Sequence, residues 1–521
     1  MWVAITASNI GTWMNEVGVT WMMATLAPSN VMIALIQTAT TLPFLLLSYP
    51  AGAFADTFDR RRMLLVLHVW MLVSATTLTL LSAAELTTAW WLLILTFALA
   101  TGNAMMRPAF SASIPAFVPR EELHKAVTLN SLSTNASKAI GPALGGLMIA
   151  VSGPHLVFAL NAVSFVVITL VLYFRYPEGI GKRNHLPPER FTIALRGGLA
   201  YTAHDPQLRI VLIRCVVFFV FASAFWALMP ALLIRQFDAS AKTYGISMAL
   251  TGLGAVAGAM MLPRLYRRWS RNRMFTFTSG LFGVGLLLLA QAKQLAFVWL
   301  MAVWLGFAWI SSFSVLMVTC QLTVPDWVRA RALAVLMLAY GASATPGSAL
   351  WGYLSDHIGI PSSITLAGLG ALMTVLLGSR LPLEHRDRDH TPMDPAPALP
   401  ESVTDPGEGP LTLTRRYHIK DCDTAAFHQL LMEVRLLRKR NGARNWKVTE
   451  PRPGCFEEEV VIDDWWDYLR HRERMSLDDQ QLELALQNLN GGLSPVIHYH
   501  SSRSRGSITG TTISITDIPA H

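Results

Sequence analysis

The stretch Gly52–Arg62, GAFADTFDRRR, decides the fold because it separates two long apolar runs of the chain. Asp56 follows Gly52 after three residues, and three arginines close the stretch. Arginine side chains enter lipid only at a high cost in free energy, so they fix the side of the membrane on which a short loop lies. We therefore interpret the stretch as a cytoplasmic hairpin between two membrane-spanning helices.

The composition is typical of a membrane protein. Of the 521 residues, 52% are hydrophobic and 15% are charged, whereas soluble proteins carry about a quarter charged residues. The apolar excess lies in residues 1–380, which hold 25 Lys and Arg against 12 Asp and Glu. The basic balance therefore belongs to the membrane part, and it needs no nucleic acid as a partner. The four cysteines are scattered and predict neither a metal site nor a disulfide framework.

Twelve apolar segments are long enough to cross a bilayer, which takes about 20 residues. They lie near 3–26, 31–54, 63–84, 89–110, 126–151, 156–175, 209–234, 243–263, 274–292, 295–319, 331–353 and 361–379. If the N-terminus is cytoplasmic, 20 of the 25 basic residues fall in inner connections and three in outer ones. This asymmetry predicts that both termini are cytoplasmic.

An internal repeat links the fifth and eleventh predicted spans. At a constant offset of 206 residues, Val118-Pro119 matches Val324-Pro325, and small residues match from Ala126 onwards. Two parallel six-helix repeats are a transporter arrangement in which the site lies near the midplane between the halves. We expect halves at residues 1–175 and 209–380, joined by a cytoplasmic connection at 176–208.

The C-terminal part predicts a small soluble domain. Residues 381–410 are acidic and rich in proline, which indicates a disordered linker. Residues 411–500 then show the order β-α-β-β-α-β, which predicts a ferredoxin-like α+β module. Residues 501–521 are rich in Ser and Thr and are predicted to be disordered.

The hairpin resembles the signature loop of the major facilitator superfamily, Gly-x-x-x-Asp-Arg-x-Gly-Arg-Arg. Thr57-Phe58 departs from that form, and Asp59 replaces its second glycine. The resemblance implies that the hairpin is a cytoplasmic gate that holds the inner end of the eleventh span. The gate residues would be Asp56, Asp59, Arg60, Arg61 and Arg62. The alternative is that these residues act only as a topology signal.

The fifth span contains Gly141-Pro142-Ala143-Leu144-Gly145-Gly146. It resembles the Gly-Pro-rich motif of the antiporter branch of the superfamily. Gly141, Gly145 and Gly146 permit close approach of neighbouring helices, and Pro142 kinks the helix. Ordinary tight contact between helices is the alternative interpretation.

Together with Val118–Leu123, these motifs resemble the bacterial exporters called transmembrane secretion effectors, which include enterobactin-type siderophore exporters. The tail resembles the dimeric module of antibiotic-biosynthesis monooxygenases. The resemblance implies a proton-driven exporter of small organic molecules in the bacterial inner membrane, without a cofactor and without enzymatic activity. Two alternatives remain open: a protein whose tail is an enzyme, and a non-transporting receptor.

Four polar residues of the predicted spans are candidates for the substrate and proton pathway: Glu16, Lys138, Asn103 and Arg107. Glu16 lies in mid-span, where an ionisable group facing lipid is costly, so it should face a cavity. Burial favours the neutral acid, which would let Glu16 carry a proton. The alternatives are a carboxylate that attracts cations or pairs with Lys138 or Arg107, and snorkelling of Lys138. Asp356 and His357 are interpreted as a solvated turn.

Overall fold

The computed structural model describes residues 2–27, 29–57, 59–117, 123–175, 200–383, 410–420, 423–464, 466–468, 477–490 and 496–501. Most of the predicted connection, nearly all of the predicted linker and almost the entire predicted tail lie outside these residues. The Val118–Leu123 motif, apart from Leu123, lies outside them as well. The same holds for most of residues 463–474, for which the sequence also predicts a helix.

Within the described residues, twelve helices of 20 to 33 residues follow one another from Trp2 to Arg380. They are α1 Trp2–Leu26, α2 Asn30–Thr57, α3 Arg60–Ala83, α4 Ala89–Phe117, α5 Leu123–Ser152, α6 Pro154–Arg175, α7 Pro206–Phe237, α8 Ala241–Tyr266, α9 Arg271–Ala290, α10 Leu295–Thr323, α11 Asp326–Ile358 and α12 Ile360–Arg380. Each overlaps one predicted apolar segment.

Ten of these helices contain a stretch long and apolar enough to cross a membrane, which confirms a mostly helical, multi-span membrane protein. The ten do not include α1 and α5. In α1, Glu16 lies well inside the helix, whereas the apolar stretch described in α5, Ala136–Ser152, is shorter than a full span.

The described chain divides into two compact units. The first, called the helical unit here, lies within Met1–Gly181, Ile210–Cys320 and Leu333–Glu384. The second lies within Lys182–Arg209, Gln321–Ala332 and His385–His521. In the helical unit, α1 packs on α5 and α6, α2 on α4, α3 on α6, and α9 on α12, while α5 packs on α8.

The contact between α5 and α8 depends on two glycines. A Cβ atom added to Gly146 would lie 2.7 Å from the carbonyl oxygen of Ala241 and from the Cα of Gly245. These are backbone atoms, which cannot move aside without moving α8, so the absence of a side chain at Gly146 sets the helix separation.

The C-terminal module, residues 411–501 within the second unit, is a sheet covered by helices. Its elements are β1 Leu411–His418, α13 Thr424–Arg440, β2 Asn445–Arg452, β3 Cys455–Ile462, α14 Leu477–Leu489 and β4 Val496–Ser501. The four strands are antiparallel in the order β2-β3-β1-β4. Register pairs Leu411 with Ile462 and His418 with Cys455.

Alternation along β1 buries Leu411, Leu413 and Tyr417, as expected for a sheet with one covered face. Phe427 from α13 and Leu486 from α14 pack with Tyr417 in one buried cluster, while Leu411 and Leu413 belong to a second. Helix α13 ends at Asn441-Gly442, where Gly442 has a φ of 104°, a conformation that favours glycine.

A contact within the second unit involves the segment before α7. The guanidinium of Arg440, in the last turn of α13, lies 5.4 Å from the ring centroid of Tyr201, within cation–π range. The same guanidinium donates to Asp479 at 2.5 Å. The module therefore contacts a part of the chain that precedes the predicted linker.

Candidate functional site

A cavity lies inside the helical unit, enclosed by α1, α2, α5, α7, α8 and α10. The cavity volume open to the centres of water molecules is about 60 Å³. This volume holds several waters. Its polar lining includes Glu16, Thr20, Gln37, Lys138, Tyr244 and Thr251, and its aromatic lining includes Trp13, Trp226 and Trp309. Both predicted halves contribute, so the cavity lies where the repeat places a transporter site.

Lys138 lies between two indole rings. Its Nζ is 5.7 Å from the ring centroid of Trp13 on α1 and 5.7 Å from that of Trp309 on α10. Both distances are within cation–π range. Trp309 also stacks on Phe313, with ring centroids 5.6 Å apart and an interplanar angle of 14°. One ammonium group thus bridges α1, in the first predicted half, and α10, in the second.

Glu16 lines the same cavity, and its carboxylate forms no direct ion pair with a described residue. Among the described residues, no basic nitrogen lies within 4 Å of its carboxylate, although the positive charges of Lys138 and Arg107 act on it electrostatically. Any pairing of Glu16 with Lys138 or Arg107 in this conformation therefore acts over more than 4 Å. The carboxylate remains available to a proton or a ligand.

Arg107 and Asn103 on α4 make other contacts. The Arg107 guanidinium lies 5.2 Å from the ring centroid of Phe44 on α2. The side-chain amide of Asn103 donates to the carbonyl of Leu99 in its own helix at 3.3 Å. Neither residue belongs to the lining of the cavity that contains Glu16.

The Gly-Pro motif places α5 between two partners. A Cβ added to Gly141 would lie 2.6 Å from the Cβ of Trp13, and one added to Gly145 would lie 3.0 Å from the Cα of Met14. Both glycines therefore let α1 approach closely, while Gly146 faces α8. Pro142 lines the cavity.

The α2–α3 turn is described only in part, because the side chain of Asp56 lies outside the described residues. Asp59 accepts the backbone N–H of Arg62 at 2.8 Å and so caps the start of α3. Arg61 donates to the carbonyl of Tyr173 near the end of α6 at 2.7 Å. These two contacts join the turn to α3 and α6.

Asp356 is exposed, as the interpretation of a solvated turn expects, but it also makes contacts with a distant helix. Its carboxylate accepts the backbone N–H groups of Asn30 at 2.9 Å and Val31 at 3.3 Å. Arg214 is a second residue whose role the sequence did not indicate. It is buried in α7 and donates to Asn272 at 2.5 Å and Thr276 at 3.1 Å on α9. Both contacts join segments far apart in the chain, which local patterns do not reveal.

The C-terminal module contains a different charged cluster. Glu458 is completely buried and accepts from Tyr417 at 2.8 Å, Trp446 at 2.9 Å and Arg438 at 3.0 Å. Burial opposes its ionisation, but the guanidinium groups of Arg438 and Arg415 outweigh burial and lower the pKa of Glu458 to about 2. The pKa of Tyr417 is raised, mainly by burial and then by the negative charge of Glu458.

The family model described as transmembrane secretion effector matches residues 1–506. The chain therefore belongs to that family of major-facilitator-type transporters. It is 23% identical over 392 residues to the staphyloferrin A transporter of Staphylococcus aureus, covering 73% of this chain and 96% of that protein. It is 24% identical over 393 residues to the multidrug efflux pump Tap of Mycolicibacterium fortuitum, covering 73% and 94%.

Macrolide efflux protein A of Enterococcus faecalis is 22% identical over 246 residues, covering 47% of this chain and 75% of that protein. Among solved structures, a bacterial homologue of the human lysosomal transporter Spinster, in an inward-facing and occupied conformation, is 13% identical with a TM-score of 0.59 and covers 73% of this chain and 96% of its own. This likeness confirms the fold of the helical part. Family and relatives agree that the protein is a transporter and not an enzyme.

Proposed function

We propose that the protein is a secondary active transporter that exports small organic molecules, drug-like or siderophore-like, by proton antiport and alternating access. The observation that carries the proposal is the cavity lined by both Glu16 and Lys138. The two charges interact electrostatically, but among the described residues they form no direct ion pair. An unpaired ionisable group inside a membrane protein is costly, and such groups mark ion and substrate pathways. The relatives that transport staphyloferrin A, macrolides and several drugs support the substrate class.

The coupling step follows from the chemistry of the cavity. A deprotonated Glu16 attracts the cationic part of a substrate and the neighbouring positive charges of Lys138 and Arg107. When Glu16 takes up a proton, that attraction is lost and a bound cationic group is released. Substrate and proton therefore compete for one carboxylate, which is sufficient for exchange of one against the other.

We infer further that α1 to α12 are twelve spans in two six-helix halves, with both termini in the cytoplasm. The basic residues of the inner connections support this orientation. The strand order β2-β3-β1-β4 supports a ferredoxin-like fold for the module. Sheets of this kind can pair face to face, so we propose that the module forms a dimer.

An untargeted comparison of secreted metabolites between a deletion strain and its parent identifies the exported compound. We expect that compound to accumulate in the deletion strain and to be driven against its gradient, in proteoliposomes, by an imposed pH gradient. Unchanged accumulation would favour a non-transporting receptor. Export that continues after the pH gradient is abolished would contradict proton coupling.

The hairpin gate is a separate proposal with its own test. Asp56→Asn should abolish export while the protein inserts and folds, because the amide removes the charge that would hold the inner end of α11. Normal export by this variant would reduce the hairpin to a topology signal.

A further inference from the structure

The connection between α1 and α2 is held from both sides by residues of the other half. Asp356, near the end of α11, accepts the N–H groups of Asn30 and Val31 at 2.9 and 3.3 Å. Arg235, in the last turn of α7, donates to the carbonyl of Ala27 at 3.3 Å. The three bonds span 208 to 326 residues of sequence.

These contacts complement the ends of the two helices. The first N–H groups of a helix and its last carbonyl groups lack partners within the helix. At the start of α2, Ser29 accepts the N–H of Met32 at 3.3 Å, and Asp356 takes the two N–H groups before it. A carboxylate is favourable at a helix N-terminus and a guanidinium at a C-terminus, since each opposes the partial charge there. Besides Ser29, the groups that cap α1 and α2 thus come from the other half of the protein.

A polar seam continues from this point along α2 and α11. The hydroxyl groups of Thr38 and Ser348 are 2.8 Å apart, and those of Thr41 and Thr345 are also 2.8 Å apart. A Cβ added to Gly352 would lie 2.6 Å from the Cβ of Ala34. Thr41 and Ser348 are buried. The two helices are therefore in direct contact below the Asp356 cap.

We propose that Asp356 and Arg235 form an outer latch that holds the two halves together on the outer side and must open once in every transport cycle. The inference rests on the proposed alternating access and on the proposed cytoplasmic termini, which place the α1–α2 connection outside. Asp356 and Arg235 are exposed, so water competes for each of the hydrogen bonds that they make to the backbone. Three such bonds stabilise the closed state, and water can replace each of them when the halves separate.

The latch is tested by the accessibility of Ser348→Cys to a membrane-impermeant maleimide added outside intact cells. The parent without this substitution corrects for Cys215, Cys320, Cys422 and Cys455. Asp356→Ala should raise the labelling rate about tenfold, because loss of a helix cap shifts a two-state equilibrium by roughly that factor. Asp356→Asn, which keeps one acceptor oxygen, should give a smaller increase.

The matched control is His357→Ala, the exposed neighbour in the same turn, whose described contacts are with Tyr353 in its own helix. It should leave the labelling rate within twofold of the parent. Labelling of the Asp356→Ala variant at the parent rate would overturn the latch. This readout requires no substrate, so a labelling response without proton-driven export would reject the proposed function and leave the latch standing.

A second measurement covers the case in which Asp356→Ala fails to fold. The pair Thr38→Cys and Ser348→Cys replaces two hydroxyl groups already in contact, so oxidation should form a disulfide across the seam. We expect export to stop on oxidation and to return on reduction, whereas each single substitution should not respond. Export at the parent rate by the fully cross-linked protein would show that the seam need not open, and the latch would fall.

Discussion

The helical unit and the C-terminal module contain buried charge in opposite arrangements. In the module, Glu458 is surrounded by donors, with Tyr417, Trp446 and Arg438 all within 3.0 Å. In the helical unit, Glu16 lines a cavity and no basic nitrogen in the described residues approaches within 4 Å. A carboxylate with every partner supplied by the protein stabilises a structure, whereas one left without a partner is available for binding. The first arrangement is expected to matter for folding and the second for transport.

The largest expected effect is on Glu16. Glu16→Gln should eliminate export driven uphill by a pH gradient, while substrate binding and downhill exchange survive, because the amide keeps the shape of the protonated acid. Both quantities are measured on the same variant in proteoliposomes. Gln37→Met, a change of another polar residue in the cavity lining, is the matched control and should retain coupling.

A different result would redefine the role of Glu16. If binding of cationic substrates weakens while pH-driven export continues at the parent rate, the carboxylate attracts cations and carries no proton. If Glu16→Gln instead lowers thermal stability strongly, the comparison itself breaks down, because Glu16 would then be a structural residue.

Glu458 should show the reverse behaviour. Removing one member of a buried ionic cluster typically costs 3–5 kcal/mol, so Glu458→Gln should destabilise the module by about 3 kcal/mol. Hydrogen exchange of the β1 and β3 amides in the full chain measures this loss. The control is Glu459→Gln, the exposed neighbour in the same strand, which should change stability by less than about 0.5 kcal/mol.

The same cluster predicts a pH dependence with a definite sign. The pKa of Glu458 is lowered from its ordinary 4.5 to about 2, so the native module favours the ionised form. Its stabilising contribution is complete above pH 4.5 and is lost as the pH falls from 4.5 towards 2. The difference between parent and Glu458→Gln should therefore shrink over that interval. A constant difference from pH 7 to pH 2 would show that shape, and not charge, causes the loss.

The smallest expected effect is on Lys138. Lys138→Met removes the cation from between Trp13 and Trp309 but keeps most of the side-chain volume. Exposed to several waters, a cation–π pair contributes about 1 kcal/mol, so substrate affinity should change by less than about tenfold. Equilibrium binding to purified protein measures it, with Lys138→Arg as the charge-conserving control. A complete loss of transport in Lys138→Met would place Lys138 in the coupling step beside Glu16.

The sequence predicts the positions of the long helices well because each of them coincides with a local feature of the sequence. Each of α1 to α12 overlaps one predicted apolar segment, and ten of them are long and apolar enough to cross a bilayer. Glu16 and Lys138 could be selected as candidates for the same reason, because a charge inside such a run stands out. The strands of the module were also recognisable from alternation and turn residues.

Contacts between distant residues could not be predicted in this way. Nothing around Asp356 indicates that its partners are Asn30 and Val31, and nothing around Lys138 indicates Trp309. Glu458 lies in the run Glu457–Glu459, which suggests a solvated strand. The alternation along β3 places Glu458 on the same face as the buried Phe456 and Val460. The sequence therefore contains a signal for its burial, but the three consecutive glutamates point the other way.

The cap on α2 also has a consequence for the order of synthesis. Asn30 and Asp356 are separated by 326 residues. At the usual rate of 5–20 residues per second, roughly 15 to 65 seconds pass between the appearance of α2 and that of its cap. During that interval water must satisfy the amides at the start of α2. The hydrogen bonds between Asp356 and the start of α2 therefore form late, only after the chain has been synthesised through α11.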